Sequence, residues 1–415
     1  LGINASYAMC KATGLGNNSL GRVQTPVLAA ISRRYREREN HISSDSWPIY
    51  ISLQKDGILF KMRRTQDLPD KESATMFFQD CKLSHQAQIT GISHSVKEIF
   101  PPDLLDLTQL QKEANIRYGY TASEVYDIAQ SLYEKKLISY PRTSSRYLTE
   151  DVFDSLSPIM ARLLSWELFP AAKGTGGIDI SNLSRHVISA EKANVHHAII
   201  ITGIRPGNMS EKEMQVYRLV AGRMLEAFMA PCRIETTNVE AVCAAQHFKA
   251  EQTRIIEAGW HDVFMHSDMV PKSGYSVNEL PEVEKGDNLN ICGCNMVHKK
   301  ELPVDPFTDA ELVEYMELNG LGTVSSRTNI IRTLVNRKYI RYSGKYIVPT
   351  PKGMFTYETI RGKKIADTSL TADWEKQLTG LESGMITGQD FLNRIRTLAK
   401  EMTDDIFNTY STKEE

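Results

Sequence analysis

The chain has 415 residues, 41% of them hydrophobic, and its 49 lysines and arginines nearly balance 51 aspartates and glutamates, for a net charge of −2. This length exceeds what one hydrophobic core normally supports, so at least two domains are expected. The near-neutral charge excludes a field that draws the whole molecule to a polyanion or an anionic membrane. A nucleic-acid site would have to be a local basic patch.

Membrane insertion and secretion find no support in the sequence. No run of about 18 apolar residues occurs, and no charged-then-apolar leader opens the chain. Six scattered cysteines form no Cys-x-x-Cys pair, which argues against a disulfide framework or a zinc ribbon. We expect a soluble, cytoplasmic protein with no membrane partner. The opening LGINASYAMC has a helical pattern and no initial methionine, so the chain is expected to be a piece of a longer protein.

The first hundred residues change from a helical to a strand-like pattern. Residues 1–40 are predicted to form helices around the polar loop GLGNNSLGRVQTP, with Pro26 opening the second helix. Alternation begins at Trp47, where two apolar segments flank Lys55-Asp56-Gly57 as a hairpin. Further alternating segments are expected up to about residue 100.

A helical region follows. LDLTQLQKEANIRYG ends at Gly119, and Thr121 with Glu124 has capping-box spacing at the start of the next helix. LISYPRTSSRYL comes directly afterwards. Because Pro141 disfavours helical dihedral angles in the residue before it, Tyr140 is predicted to be held on extended backbone.

Strand-like alternation returns from about residue 233 to residue 299. Together with 47–99 it predicts one β-rich domain that the chain enters twice, with helical residues 100–232 inserted. The last segment has a capping box at Thr308 and Glu311, a turn at Gly320 and Gly322, a second helix and a hairpin around Ser343-Gly344. This order of elements is typical of a winged helix.

Motifs for nucleotide and metal chemistry are absent from the sequence. It contains neither a phosphate-binding G-x-x-x-x-G-K-[ST] loop nor G-x-G-x-x-G spacing. No clustered acidic motif indicates a divalent-metal site, so no metal ligand is predicted.

Tyr140 has two interpretations. It is either a tyrosine packed at a turn or a nucleophile, since a phenol attacks phosphorus when neighbouring cations stabilise the developing charge. Arg142 supplies a guanidinium that matches phosphate oxygens. The pair His196-His197 precedes an apolar run that resembles a buried strand, and either a structural role or a contact with a phosphate is open to one imidazole.

Two further segments could contact nucleic acid. Ser19, Arg22 and Gln24 lie at a helix entrance, where backbone N–H groups favour a phosphate, although the loop taken by itself is better explained as a capping segment. Arg327 and Thr328 lie on the second helix of the winged-helix-like segment, which would serve DNA binding or a protein contact.

Five segments, taken in order, resemble type IA DNA topoisomerases, and the topoisomerase III branch most closely. SLGRVQTPVLAAISRRYRE is similar to the family's loop and helix entrance, and LQKEANIRYGYTASEVYDIAQSLYEKKLISYPRTSSRYL to its active-site region. NVHHAIIITG, LGTVSSRTNIIRTLVNRKYI and LTADWEKQL match three later family segments. The resemblance covers nearly the whole chain.

The resemblance implies a role for each candidate residue. Tyr140 would attack a single-strand phosphodiester and form a 5′-phosphotyrosyl link without ATP, and Arg142 and His196 would be catalytic at the same phosphate. The DNA strand would be held by five residues: Ser19, Arg22, Gln24, Arg327 and Thr328.

The implied fold is a multidomain, mainly helical α+β ring, a toroidal core with a β-rich arch and winged-helix-like elements. Residues 1–46 and 303–415 would form the groove domain, residues 47–99 and 233–302 the arch, and residues 100–232 the movable domain. The family's Mg²⁺-binding toprim domain would precede this chain and act as its partner, so the isolated chain is expected to be inactive. Ser144 and Ile201 replace an aspartate and a proline that are usual in the family.

A second hypothesis is a non-catalytic winged-helix protein that binds DNA or regulates. In that case residues 303–415 alone would bind duplex DNA as tightly as the whole chain. A relaxase or tyrosine recombinase is disfavoured, because the sequence lacks a relaxase histidine triad and Tyr140 precedes the histidines.

Overall fold

The computed structural model describes residues 1–411, apart from residues 15, 17, 167, 170–177, 181–182, 194 and 266–278. Two helices and a short strand open the chain: α1 (Gly2–Thr13), α2 (Gln24–Glu39) and β1 (Asp45–Ser46). Within the described part, no helix combines the length and the apolar character that crossing a membrane requires.

Strands from two separated parts of the chain form one closed barrel. Its members are β2 (Ile49–Lys55), β3 (Ile58–Arg64), β4 (Gln86–Ile99), β5 (Cys232–Cys243), β6 (Gln246–Glu257) and β7 (Asn288–Met296), arranged β2-β3-β6-β5-β4-β7 with antiparallel neighbours. The predicted hairpin between β2 and β3 is confirmed. Its two loop residues, Asp56 and Gly57, have φ of 52° and 81°, which suits the twist of a two-residue hairpin.

The barrel is filled by alternate strand residues. Ile49, Ile51 and Leu53 of β2 and Phe60 and Met62 of β3 are buried and contribute to one hydrophobic core. This period of two places every second side chain inside, as expected for a strand with one buried face.

One helix of this region was not foreseen. Residues 71–83 were expected to continue the alternation, but they form α3 (Lys71–Leu83). The carboxylate of Asp70 accepts a hydrogen bond from the Ser73 backbone N–H at 2.7 Å and caps the helix. Ala74 and Cys81 are buried, and Cys81 belongs to the barrel core. The expectation of strand there was wrong because an N-cap and a helical apolar spacing outweigh short-range alternation.

Three of the barrel strands extend beyond it as a ribbon. β4, β5 and β6 stay paired as far as Ile99↔Cys232 and Arg233↔Glu257. Cross-strand contacts between polar side chains, including Thr236 with Thr253 at 3.1 Å, link the ribbon strands. The ribbon leads directly into residues 100–232.

The inserted region is mainly helical. Its helices are α4 (Leu107–Tyr118), α5 (Ala122–Glu134), α6 (Glu150–Asp154), α7 (Leu156–Ser165) and α8 (Glu211–Phe228). Gly119 ends α4 with φ 72°, and the Thr121–Glu124 capping box begins α5, so both predictions are confirmed. A short helix from the second strand-like segment, α9 (Asp262–Met265), also belongs here, because Phe264 packs into this core. The continuous alternation expected across 233–299 was therefore wrong at residues 259–265.

The last part of the chain returns to the helices that opened it. It contains β8 (Lys299–Lys300), α10 (Asp309–Leu318), α11 (Val324–Asn336), β9 (Ile340–Ser343), β10 (Tyr346–Pro349), α12 (Pro351–Ile360), α13 (Thr368–Glu382) and α14 (Gly388–Ser411). The Thr308–Glu311 capping box is present, and β9 and β10 form the expected antiparallel hairpin. Val27 and Leu28 of α2 share a hydrophobic core with Leu312 and Ile331.

Contacts between these regions close a circuit. The ribbon joins the barrel to the inserted helices, and these helices pack against the last part of the chain through α4 with α10 and α5 with α11. Lys112 and Glu314 form an ion pair of 2.6 Å across that contact. β1 lies just before the first barrel strand and β8 just after the last one, and the two pair where the chain enters and leaves the barrel. The three regions thus contact one another in a ring.

Candidate active site and nucleic-acid interface

Tyr140 follows a short paired segment that fixes its backbone. Ile138 forms an antiparallel bridge with Ile201, and the Ser139 N–H donates to the Ile200 carbonyl at 2.8 Å. The Ser139 hydroxyl also accepts a hydrogen bond from the Ile200 N–H at 2.9 Å. These bonds hold the backbone that leads into Tyr140, whereas the apolar run after His197 makes only single bridges instead of the expected strand.

Two aromatic rings surround the phenol of Tyr140. The imidazole of His196 lies 4.4 Å from it between ring centroids, and the ring of Tyr133 meets it edge-on at 5.4 Å. The Thr143 hydroxyl donates to the His196 carbonyl at 2.8 Å and holds that segment in place. The ring of His197 instead contacts the carbonyl of Ala198 through Nδ1 at 2.8 Å. Of the two histidines, His196 is the one at the tyrosine.

Arg142 lies against α5. Its Nη2 donates to the Gln130 side-chain oxygen at 3.1 Å, and its guanidinium carbon lies 5.1 Å from the centre of the Tyr126 ring. Its Nε is buried and has no hydrogen-bond partner among the described residues. No carboxylate is bonded to this guanidinium in that part of the chain, so its charge is not compensated by a direct ion pair.

This arrangement unites three chemical functions. A phenol is a nucleophile for phosphorus, an imidazole beside it can bond an oxygen or move a proton, and a guanidinium attracts phosphate. The structure brings Tyr140 and His196 into contact and places Arg142 on the same helix face that carries Tyr133.

A second polar cluster joins the loop before α2 to the end of α11. Arg337 donates from Nη1 to the Ser19 hydroxyl at 2.6 Å and to the Gln24 side-chain oxygen at 2.8 Å. The Ser19 N–H donates to the Tyr339 hydroxyl at 2.6 Å. Ser19 and Gln24 thus lie together, and Arg337 at the end of α11 completes their cluster.

Arg22 lies apart from that cluster, over another helix. Its guanidinium carbon is 5.0 Å from the centre of the Trp374 ring, and its carbonyl accepts a hydrogen bond from the Thr371 hydroxyl at 2.9 Å. Two of the sequence segments singled out, the loop before α2 and LTADWEKQL, therefore meet here.

Arg327 and Thr328, which the resemblance implies would hold the DNA strand, are both buried. Their exposed fractions are 8% and 1%. Arg327 donates from Nη1 to the Thr108 hydroxyl at 2.9 Å, and Thr328 accepts a hydrogen bond from the Gln111 side chain at 2.9 Å. Both lie in the contact between α4 and α11, and they are covered there in this arrangement.

Charged groups in the same contact are partly desolvated. Arg146 pairs with Asp106 at 2.7 Å, and burial raises the pKa of the Asp106 carboxyl although the guanidinium opposes this effect. Asp309 accepts hydrogen bonds from the Ala122 N–H and the Tyr342 hydroxyl, both at 3.1 Å. Burial raises the pKa of Asp309 to about 6.

No metal site was found in the described part of the chain, because no three histidine, cysteine or acidic side chains are placed to hold one ion. Of the two sequence departures, Ser144 is exposed. Ile201 is buried, and its N–H, which a proline would lack, lies 3.1 Å from Met224 Sδ.

Comparison with known proteins gives one consistent result. A family model described as DNA topoisomerase matches residues 1–393. The chain is 30% identical to DNA topoisomerase 3 from Bacillus licheniformis and to DNA topoisomerase 1 from Methanocaldococcus jannaschii, over 98% and 100% of its length. These alignments cover 59% and 53% of the two relatives, so the chain spans little more than half of each.

The fold has a solved counterpart. The chain superimposes on full-length topoisomerase I from Thermotoga maritima with a TM-score of 0.73 and 22% identity, covering 98% of this chain and 68% of that one. The chain therefore has the same multidomain α+β fold as that topoisomerase.

Proposed function

The chain belongs to the type IA DNA topoisomerase family, and from this premise we propose that it is the ring-forming part of an ATP-independent, topoisomerase III-like enzyme. Such an enzyme cuts one DNA strand transiently, passes a second strand or duplex through the gap and rejoins the cut, which relaxes negative supercoils or decatenates DNA. The ring-to-ring contact of Tyr140 with His196, inside the segment that resembles the family's active site, is the observation that carries this proposal.

Tyr140 is the proposed nucleophile. Its phenolic oxygen attacks the phosphorus of one phosphodiester, an O–P bond forms, and the bond from phosphorus to the 3′ oxygen breaks. The proton leaves the phenol, and the departing 3′ oxygen gains one to become a hydroxyl. One ester replaces another, so the energy of the bond is retained in the 5′-phosphotyrosyl link and the reverse step reseals the strand without ATP.

Arg142 and His196 act on the same phosphate in this proposal. The guanidinium of Arg142 is held by Gln130, which is neutral, so its charge is available to the extra negative charge of the transition state. His196 is exposed and adjacent to the phenol, where its imidazole can bond a phosphate oxygen or take the phenolic proton.

The DNA strand approaches along the helices that open the chain. Ser19 and Gln24 lie together at the start of α2 beside the Arg337 guanidinium, a group that attracts phosphate, and Arg22 lies nearby in sequence. Arg327 and Thr328 are proposed to contact the strand only when α4 and α11 separate, since both are covered in the present arrangement.

The domain assignment is part of the proposal. Residues 1–46 and 303–415 form the groove domain with its winged-helix-like segment, residues 47–99 and 233–302 the arch, and residues 100–232 the movable domain of a toroid. The circuit of contacts supports it, because parting α4 from α10 and α5 from α11 would open the ring at one place while the ribbon keeps the parts connected.

Partners and cofactor follow from the same proposal. The substrate is a single-stranded segment of supercoiled or linked DNA, which implies an intracellular, cytoplasmic location. A toprim domain, in the length of the relatives that this chain does not cover, is the proposed partner and the place of any magnesium requirement.

The winged-helix binding module is the weaker hypothesis. It does not explain the contact of Tyr140 with His196, and the family match extends far beyond residues 303–415. Nothing in the structure favours it over the enzyme.

The proposed function is tested with the intact protein that contains this chain. Negatively supercoiled plasmid is incubated with magnesium and without ATP, and wild type is compared with Tyr140→Phe. We expect relaxation by wild type and none by the variant, with equal binding of single-stranded DNA. Equal relaxation by both proteins would refute the nucleophile.

A further inference from the structure

One face of α5 touches both Arg142 and Tyr140. Tyr126, Gln130 and Tyr133 are spaced by four and three residues, so they follow one another along the same side of the helix. Tyr126 lies under the Arg142 guanidinium, Gln130 bonds it, and Tyr133 meets the ring of Tyr140. These three side chains of α5 thus contact two of the proposed catalytic residues, Arg142 and Tyr140.

Gln130 is the only described residue whose side chain bonds the Arg142 guanidinium. Its own amide is fixed as well, because its Nε2 donates to the Glu134 carboxylate at 2.8 Å. A carboxylate only accepts and a guanidinium only donates, so the Gln130 oxygen must face Arg142 and its nitrogen Glu134. The orientation of the amide is thus set from both ends.

The chemistry of an amide differs here from that of a carboxylate. A glutamate in the same place would form an ion pair with Arg142 and neutralise much of its attraction for phosphate. Gln130 instead accepts one hydrogen bond without adding negative charge. The Arg142 Nε also has no partner among the described residues, so no second acceptor competes for the guanidinium.

We propose that Gln130 is a positioning residue of the cleavage reaction, which aims the Arg142 guanidinium and leaves its charge uncompensated. The proposal rests on the proposed topoisomerase function. It assigns no contact between Gln130 and DNA.

Two variants of the intact protein separate position from charge. Gln130→Met keeps the size of the side chain but removes the acceptor, and Gln130→Glu keeps an acceptor but adds a charge. Gln389→Met is the matched control, because Gln389 also bonds a side chain four residues on along a helix, in α14. The measured quantities are the dissociation constant for a single-stranded oligonucleotide and the first-order rate of covalent adduct formation at saturating oligonucleotide.

We expect Gln130→Met to slow adduct formation about tenfold to hundredfold, the usual effect of a lost hydrogen bond to a charged group, with the dissociation constant within about twofold of wild type. Gln130→Glu should be slow throughout pH 5 to 8, because the ion pair with Arg142 lowers the pKa of the introduced carboxyl and keeps it ionised. Gln389→Met should match wild type at every pH.

The outcomes are distinguishable. If wild type forms no adduct, the proposed function fails and this proposal fails with it. If wild type forms the adduct and both Gln130 variants match it at every pH, only the positioning role is overturned. A Gln130→Met protein that loses DNA binding or its fold, together with a Gln130→Glu protein that forms the adduct at the wild-type rate, also overturns it in favour of a structural role.

Discussion

The Arg327 guanidinium crosses from α11 to α4 and donates a hydrogen bond to the Thr108 hydroxyl at 2.9 Å, although 219 positions separate the two residues in sequence. It also lies 3.3 Å from the Glu317 carboxylate. Arg327, a residue proposed to hold DNA, therefore also links the inserted helices to the last part of the chain. Opening the ring there would release this arginine.

Replacing Arg327 should loosen that contact. Arg327→Met removes the charged donor to the Thr108 hydroxyl and the Glu317 carboxylate, which keep their own hydrogen bond of 3.3 Å, and we expect a loss of about 2–3 kcal/mol in the stability of the contact. Arg332→Met is the control, because the Asp127 carboxylate that it pairs with is 62% exposed and such pairs contribute at most about 1 kcal/mol. Hydrogen exchange should accelerate in α4 and α10 for the first variant. Equal acceleration in both variants would contradict the importance of the buried arginine.

Asp309 should make this contact depend on pH. Burial raises the pKa of its carboxyl from an ordinary 3.8 to about 6, so between these values the folded protein holds a proton that the unfolded protein lacks. Stability must then fall as the pH rises through this window, by an upper limit of about 3 kcal/mol. Asp309→Asn keeps an acceptor for the Ala122 N–H and removes the charge.

The thermal midpoints of wild type and Asp309→Asn, measured from pH 4 to pH 8, test this effect. The thermal midpoint of Asp309→Asn, relative to that of wild type, should increase up to about pH 6 to 7 and then stay constant. Glu226, whose pKa burial raises to about 7, is unchanged in both proteins and so does not affect the difference. A difference that does not vary with pH would show that Asp309 does not titrate in this range.

Gly353 should tolerate no side chain. A Cβ at this position in α12 would lie 2.0 Å from the Tyr339 carbonyl oxygen, and Tyr339 supports Ser19. Gly353→Ala is expected to lower the free energy of unfolding by about 2–3 kcal/mol. It should also weaken binding of single-stranded DNA by shifting Tyr339 and, with it, Ser19. Gly388→Ala, in open space at the start of α14, should be neutral or slightly stabilising. Thermal unfolding of the two variants checks the contrast, and an unperturbed Gly353→Ala would contradict it.

Arg337 should contribute to binding of single-stranded DNA through its place beside Ser19 and Gln24. Arg337→Gln should weaken binding several-fold at low salt and reduce the slope of log affinity against log salt by about 0.7, the effect of one phosphate contact. Lys82→Gln, an exposed lysine of α3, is the charge-matched control. An unchanged salt slope in Arg337→Gln would remove this residue from the interface.

Local signals predicted much of the fold. The capping boxes at Thr121 and Thr308, the cap at Gly119 and the hairpin at Asp56-Gly57 all depend on interactions within four residues, and each is confirmed. The strand prediction for residues 71–83 was wrong, because it extended the alternation across a helix that has its own N-cap.

The details of the site depend on distant parts of the chain. Arg327 carries the same sequence signal whether it faces DNA or Thr108, and only the packing of α4 on α11 decides between them. Gln130 is a second example. Its sequence pattern predicts only a helix residue, and its contact with Arg142 depends on how the segment after Tyr140 packs on α5.

The identity of the covalent link is the most direct test of the whole account. A single-stranded oligonucleotide labelled at its 3′ end, and a second one labelled at its 5′ end, are each incubated with the intact wild-type protein and with Tyr140→Phe, and the reaction is stopped with denaturant. We predict that the wild-type protein retains the 3′ label, releases the 5′-labelled fragment with a free 3′-hydroxyl, and carries the DNA on the peptide that contains Tyr140. Label retained from the 5′ end, or an adduct that persists in Tyr140→Phe, would contradict the account.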